Sequence, residues 1–224
     1  MRAEFKGEFE THLTVRLDAG AGGAADDTAE FARLEQWARA LGLKLTRILL
    51  DRGATPDQPM LTEGGRGSLT ALRAAARLRS EALASAGFPV VRVKIEAAPW
   101  NEDVPRTAAE AAALSPVCHF EHHIKLLLRD GPDLALARAV AGRHSAHLSR
   151  NARRTVTGGR HERFVTQRCR GVGRPGARTE LDALLASLNS AGLDVLECEE
   201  EFVVYDDCPA VDAGWMEERS GAAV

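Results

Sequence analysis

Apolar and polar residues alternate along the first stretch of the chain. Phe9, Thr11, Leu13 and Val15 fall on one side, and Glu10, His12, Thr14 and Arg16 on the other. A period of two is that of a strand with one buried face. The period then lengthens. Asp26-Asp27-Thr28 offers a helix N-cap, Phe31, Leu34, Trp37 and Leu41 follow at helical spacing, and Gly42 fits the stop. Lys44–Leu50 predicts a second strand, and Gly53, Pro56 and Pro59 mark turns. Gln58–Thr62 predicts a short third strand, Leu69–Ala86 an Ala/Leu/Arg-rich helix ending at Gly87, and Val90–Glu96 a fourth strand.

The second half repeats that order. Phe120–Leu128 predicts a strand, and Asp133 caps a helix running to about Leu148. Arg153–Val156 and Glu162–Cys169 predict strands across the turn Gly158-Gly159. Leu181, Leu184, Leu185 and Leu188 mark a helix that stops at Gly192, and Val195–Tyr205 is the last strand. The pattern divides the chain into 1–98, a proline-marked linker 99–117, 118–208, and a tail 209–224 expected to be mobile.

Local identities support a duplication. Phe9-Glu10-Thr11-His12-Leu13 matches Phe120-Glu121-His122-His123-Ile124, 111 residues on. Ser85-Ala86-Gly87 matches Ser190-Ala191-Gly192 at 105, and Met60-Leu61-Thr62 matches Phe164-Val165-Thr166 at 104. The order is kept and the offset drifts as loop deletions would make it. The expectation is therefore an α+β fold: a tandem duplication of a ferredoxin-like βαββαβ unit, with antiparallel sheets carrying their helices on one face. In such a unit the first strand is central. Phe9, Leu13 and Val15 then face the helices, and Glu10, His12 and Thr14 face away, as do Glu121, His123 and Lys125 in the second repeat. The fourth strands add Arg92, Lys94 and Glu96 in one repeat and Glu197, Glu199 and Glu201 in the other. Two such faces meeting across a pseudo-twofold would enclose a polar groove. A single wet sheet face would show the same alternation, but would not need Glu-x-His in both halves.

Composition narrows the classes. With 45% hydrophobic and 27% charged residues and a net charge of −3, the chain reads as a globular cytoplasmic protein. It has neither the basic excess of a nucleic-acid binder nor the run of roughly 20 apolar residues that spans a membrane. Cys118, Cys169, Cys198 and Cys208 form no Cys-x-x-Cys pair, so reduced thiols are expected rather than a zinc ribbon.

Several chemistries fit the duplicated face. Glu10, His12, Glu121 and His123 are imidazole and carboxylate donors that suit a divalent metal cofactor. The two imidazoles would also serve as acid and base near neutrality, with Glu10 and Glu121 orienting them. Here His12-Leu13-Thr14-Val15 resembles the His-x-Thr-x signature of the 2H phosphoesterases, duplicated proteins with two such motifs around a pseudo-twofold. The resemblance covers two four-residue strings. It implies acid–base roles for His12 and His123 and a phosphate contact for Thr14, and it departs at His123-Ile124-Lys125-Leu126, where Lys125 stands in place of Thr or Ser. Glu8-x-Glu10-x-His12 lacks the closing Lys of the Glu-x-Glu-x-Lys strand of triphosphate tunnel enzymes, and no assignment rests on it. The glycine-rich segments Thr62–Ser68 and Thr166–Arg174, each running toward a helix start, predict anion loops bearing Arg66 and Arg170.

The leading expectation is a small anionic, phosphorylated or nucleotide-like ligand at a polar site between the repeats, with phosphoester hydrolysis as its chemistry. Lys94, Lys125, Arg66 and Arg170 would hold the anion. The alternatives are a Glu/His metal site with other chemistry, and a scaffold or homo-oligomer in which Arg92 and Lys94 pair with Glu197 and Glu199. His144 and His147, three apart, read as a helix-surface pair. Cys118 reads as buried, His119 as a cap, Trp37 as core, and Trp100 as packing the linker or walling the groove.

Overall fold

We describe the protein from a computed structural model, which places residues 4–17, 24–129, 131–152 and 160–216, with backbone alone at 24–27. The first repeat comprises β1 (Lys6–Val15), α1 (Ala24–Ala40), β2 (Lys44–Leu50), β3 (Asp57–Ser68), α2 (Leu69–Ser85) and β4 (Val90–Ala97). A short helix α3 (Ala108–Ala112) lies in the connection. The second comprises β5 (His119–Arg129), α4 (Pro132–Arg143), β6 (Ala146–Asn151), β7 (Arg160–Cys169), α5 (Arg174–Ser190) and β8 (Asp194–Asp206). Each half is a ferredoxin-like βαββαβ unit with its sheet antiparallel, in the orders β4-β1-β3-β2 and β8-β5-β7-β6.

The two sheets do not stack face to face. They join edge to edge, β4 with β8 and β2 with β6, into one closed eight-stranded barrel. Closure removes the free strand edges each repeat would otherwise expose. The helices lie on the outer face. Leu13, Val15, Leu34, Leu61, Leu83 and Ile95 pack there, none more than 2% exposed. A second outer cluster is built from Ile124, Leu126, Val140, Leu148, Leu181 and Leu188. Cross-strand alternation sends the other parity of each strand into the barrel.

The seams differ. At β4–β8 the outer core runs across the join: the Phe120 and Phe202 rings lie 4.7 Å apart, and Phe5 lies 5.9 Å from Phe202. At β2–β6 only three residue pairs are in register, Ile48–Asn151, Leu49–Arg150 and Leu50–Ser149, helped by an Arg138–Asp51 ion pair.

Several boundaries shift from expectation. Strand β3 runs on through Gly64, Gly65 and Gly67, because β1 extends back to Lys6 and pairs with it (Glu10 with Gly64, Gly7 with Gly67). The predicted anion loop Thr62–Ser68 is therefore strand. The glycine at 65 lets Leu72 of α2 lie across the sheet, where a Cβ would stand 2.7 Å from its methyl. In the second repeat, Thr166–Cys169 likewise belongs to β7. Helix α4 ends at Arg143, not near Leu148, since Ser145 turns into the left-handed region (φ 53°). His144 and His147 thus share no helix: His144 bonds Ser187 and His147 sits in β6. The expected strand Arg153–Val156 and turn Gly158-Gly159 lie outside the described residues, and β6 takes that strand's place in the order. The side chains of Asp26 and Asp27 also lie outside them.

The stretch after Pro209 corrects a further expectation. Through Trp215 it is ordered by packing: a 3-10 turn spans Pro209–Asp212, Val211, Asp212 and Trp215 are buried, and the Trp215 indole N–H donates to the Leu148 carbonyl at 3.0 Å. Residues 217–224 lie outside the described set. Among the described residues no helix is long and apolar enough to cross a membrane.

Candidate functional site

The inward parity of the strands lines a cavity of about 340 Å³ inside the barrel. Glu10, His12 and Thr14 of β1 and Glu121, His123 and Lys125 of β5 all reach it, as do Lys94 of β4 and Glu199 of β8. Arg66 and Arg170 do not. Arg66 is exposed and pairs with Glu8, and Arg170 donates to the Pro116 carbonyl at 2.9 Å. Trp100 is 63% exposed and stands away from the barrel interior.

The two histidines are held alike. His12 Nδ1 lies 2.9 Å from Thr62 Oγ1, and its Nε2 faces Glu96. His123 Nδ1 lies 3.1 Å from Thr166 Oγ1, and its Nε2 is 3.3 Å from Glu201. Register explains the match: His12 pairs with Thr62 and His123 with Thr166 across equivalent ladders, while Glu10 opposes Glu96 and Glu121 opposes Glu201. A threonine on one ring nitrogen fixes the ring's orientation and leaves the other nitrogen for the cavity. The repeat match at Thr62 and Thr166 was the sequence signal for these partners, and the 105-residue offset was the signal for Glu96 and Glu201.

The floor of the cavity is a buried ionic network. Lys94 Nζ bridges Glu96 (2.8 Å) and Glu121 (3.2 Å). Arg168 links Glu121 (3.0 Å) to Asp212 (2.6 Å), and Arg92 links Asp212 (3.0 Å) to Asp206 (2.6 Å). His119, expected as a cap, is buried and lies 3.0 Å from Glu121. The expected pairing of Arg92 and Lys94 with Glu197 and Glu199 does not form. Those cations are engaged deeper in the barrel, and Glu197 takes Lys125 at 2.8 Å. No sequence signal marked Arg168 or Asp212 as partners, because they meet only once β7, β4 and the C-terminal turn are brought together.

Burial disfavours every charge here, so each state is decided by its neighbours. Burial alone would raise the Glu121 carboxyl, but Arg168 and Lys94 outweigh it and hold it well below the usual carboxylate range. Glu96 is likewise held down, by Lys94 and His12. His123 would lose its proton on burial, yet Glu201 and Glu121 raise it to about 9, so it is cationic at neutral pH. Glu201 is pushed up, by burial and by Glu96.

The rest of the lining is largely apolar or neutral, with Lys44 among it. Ile48, Leu50, Met60, Phe164 and Trp215 face the cavity beside Thr46, Ser149 and Asn151. Leu50 and Trp215 are buried yet belong to neither outer core cluster. Seven carboxylates line the space against five Lys or Arg side chains.

Fold and site together define a class: a duplicated ferredoxin-like barrel with a polar and apolar internal cavity. No family model matches the chain, and no curated protein does. Among solved structures it is similar to the acetolactate synthase small subunit from Thermotoga maritima, at 11% identity over 89% of this chain and 95% of that one, with a TM-score of 0.29. It is also similar to the regulatory subunit of aspartate kinase from Thermus thermophilus, at 12% identity over 83% and 95%, with a TM-score of 0.32. An unknown protein from Galdieria sulphuraria aligns at 16% identity over 89% and 99%, with a TM-score of 0.27. At these values the likenesses carry no argument about function.

Proposed function

We propose that the barrel interior holds a small ligand with an anionic group, phosphoryl or carboxylate, at one end and an apolar body at the other. The observation that carries this is the mixed lining of the cavity: Ile48, Leu50, Met60, Phe164 and Trp215 supply apolar surface beside the duplicated Glu-x-His strands. A cavity of about 340 Å³ is at the small end of metabolite sites, which pair an apolar lining with a few placed polar groups. The cations that face the anion are Lys44 on β2, the imidazolium of His123, which would share it with Glu201, and Lys125, which would exchange Glu197 for it.

The test is calorimetry and thermal shift with mononucleotides and sugar phosphates, each against its dephosphorylated counterpart. Phosphorylated compounds should bind selectively, and Lys125→Ala should weaken them about tenfold, the equivalent of about 1.4 kcal/mol. A double variant, His12→Ala with His123→Ala, that keeps all affinity and any activity would refute the reading.

Phosphoester hydrolysis is a second reading, favoured by the matching Thr62–His12–Glu96 and Thr166–His123–Glu201 arrangements. His123 would donate the proton to the leaving oxygen and His12 would accept one from water. Release of inorganic phosphate that disappears in either single histidine variant supports it; unchanged release counts against it.

A further inference from the structure

The barrel's pseudo-twofold relates Glu10 to Glu121, Glu96 to Glu201 and Lys94 to Glu199, as the equivalent registers of β1–β4 and β5–β8 require. On one side of that axis the arrangement is complete. The Lys94 ammonium lies between Glu96 and Glu121, 2.8 and 3.2 Å away. On the other side the corresponding carboxylates are Glu201 and Glu10, and the residue in the place of the lysine is itself an acid, Glu199. No Lys or Arg is paired with Glu10, Glu199 or Glu201 among the described residues. Yet one donor atom each of Glu10, His12 and Glu201 lie within 4.8 Å of one another. Half of a duplicated site thus carries its own ammonium, while the other half gathers acid and imidazole with no Lys or Arg among them, and with the His123 imidazolium 3.3 Å from Glu201 on one flank.

We propose that a divalent first-row transition-metal ion occupies the position related by the pseudo-twofold to the Lys94 ammonium, bound by Glu10, His12 and Glu201 with Glu199 at its rim. Metal–oxygen and metal–nitrogen bonds of about 2.0–2.2 Å set three donors of one ion roughly 3.3–3.8 Å apart, so donor atoms now within 4.8 Å of one another close by up to about 1 Å through side-chain rotation. The donors are imidazole and carboxylate with no thiolate, a combination that suits Mn, Fe or Zn. The bond from His12 Nδ1 to Thr62 Oγ1 is the outer contact by which a ligating histidine is usually oriented. Glu96, only 1% exposed, stands at ion-pair range of His12 and Lys94 but accepts no aligned hydrogen bond at either oxygen. His12 Nε2 therefore exchanges its contact with Glu96 for the ion on binding, Glu96 keeps Lys94, and Glu96, His123 and Glu201 form an adjoining donor group. The ion would also offset the carboxylate excess of the cavity, which otherwise opposes an anionic ligand.

The test uses the full-length chain, stripped with chelator and titrated with Mn²⁺ under electron paramagnetic resonance and calorimetry, with no organic ligand present. The result is thus independent of the ligand reading above. One Mn²⁺ per chain is expected. Glu10→Gln, at a half-exposed position that folding tolerates, should weaken it at least tenfold. Glu199→Lys should abolish binding while leaving the circular dichroism spectrum intact, because it installs the ammonium that Lys94 supplies on the other side. Absence of Mn²⁺ binding up to millimolar concentration, or unchanged binding in folded Glu10→Gln or Glu199→Lys, would overturn the proposal.

Discussion

Asp212 offers the sharpest test of how the barrel interior is held. It lies beyond the last strand, yet it is 4% exposed and accepts hydrogen bonds from Arg92 (3.0 Å), Arg168 (2.6 Å) and Gln58 (3.2 Å). Asp212→Ala removes the carboxylate that ties two buried guanidinium groups together. Breaking a buried ion pair from one side typically costs about 3–5 kcal/mol, because the abandoned charge stays buried. Here each arginine keeps one partner: Asp206 at 2.6 Å for Arg92 and Glu121 at 3.0 Å for Arg168. The loss should therefore sit near the lower bound, about 3 kcal/mol. For a chain of this size about 1 kcal/mol shifts the midpoint by roughly 2–4 °C, so Tm should fall by roughly 6–12 °C. Urea unfolding should show the same loss with an unchanged m-value. Asp212→Asn, which keeps the shape and an acceptor oxygen, should lose less. A Tm within about 2 °C of the parent for Asp212→Ala would show that the C-terminal turn contributes nothing, as a mobile tail would, and would refute the reasoning.

Two further predictions follow from the same packing. Burial opposes the charge of Asp212, but Arg92 and Arg168 outweigh it and lower its pKa. Its contribution to stability is then full above the ordinary carboxylate range and is lost as pH falls through the depressed folded value. Acid titration of Tm should show a shallower loss in Asp212→Asn than in the parent below about pH 4, and equal slopes would contradict this. Gly173, just ahead of α5, has the backbone of Arg106 and Thr107 against it, with a Cβ placed 2.3 Å from the Arg106 carbonyl. Gly173→Ala should therefore destabilise by about 1–3 kcal/mol through forced backbone displacement; a neutral effect in urea melts would show that the connection is not pinned there.

The residue pattern was enough to read the repeat and its faces. Phe9, Leu13 and Val15 point to the helices and Glu10, His12 and Thr14 to the cavity because strand parity is a property of local covalent geometry. The duplicated Phe-Glu-x-His string marked the central strands of both halves for the same reason. Glycine-rich Thr62–Ser68 misled, since glycine serves a loop and a closely covered strand equally well. Only the length of β1 decides between them.

What the chain could not disclose by itself is how the halves combine. Alternation says that a face is polar; it does not say whether that face meets water, another sheet or its own continuation around a barrel. Tertiary structure decided that β2 joins β6 and β4 joins β8, turning two open faces into the wall of one cavity. It also brought Arg168 and Asp212, remote in sequence from Glu121 and Arg92, into one network. Edge pairing is made by backbone groups that every residue carries, so it leaves little mark on side-chain identity. That is why the wall of the site was legible in the sequence and its closure was not.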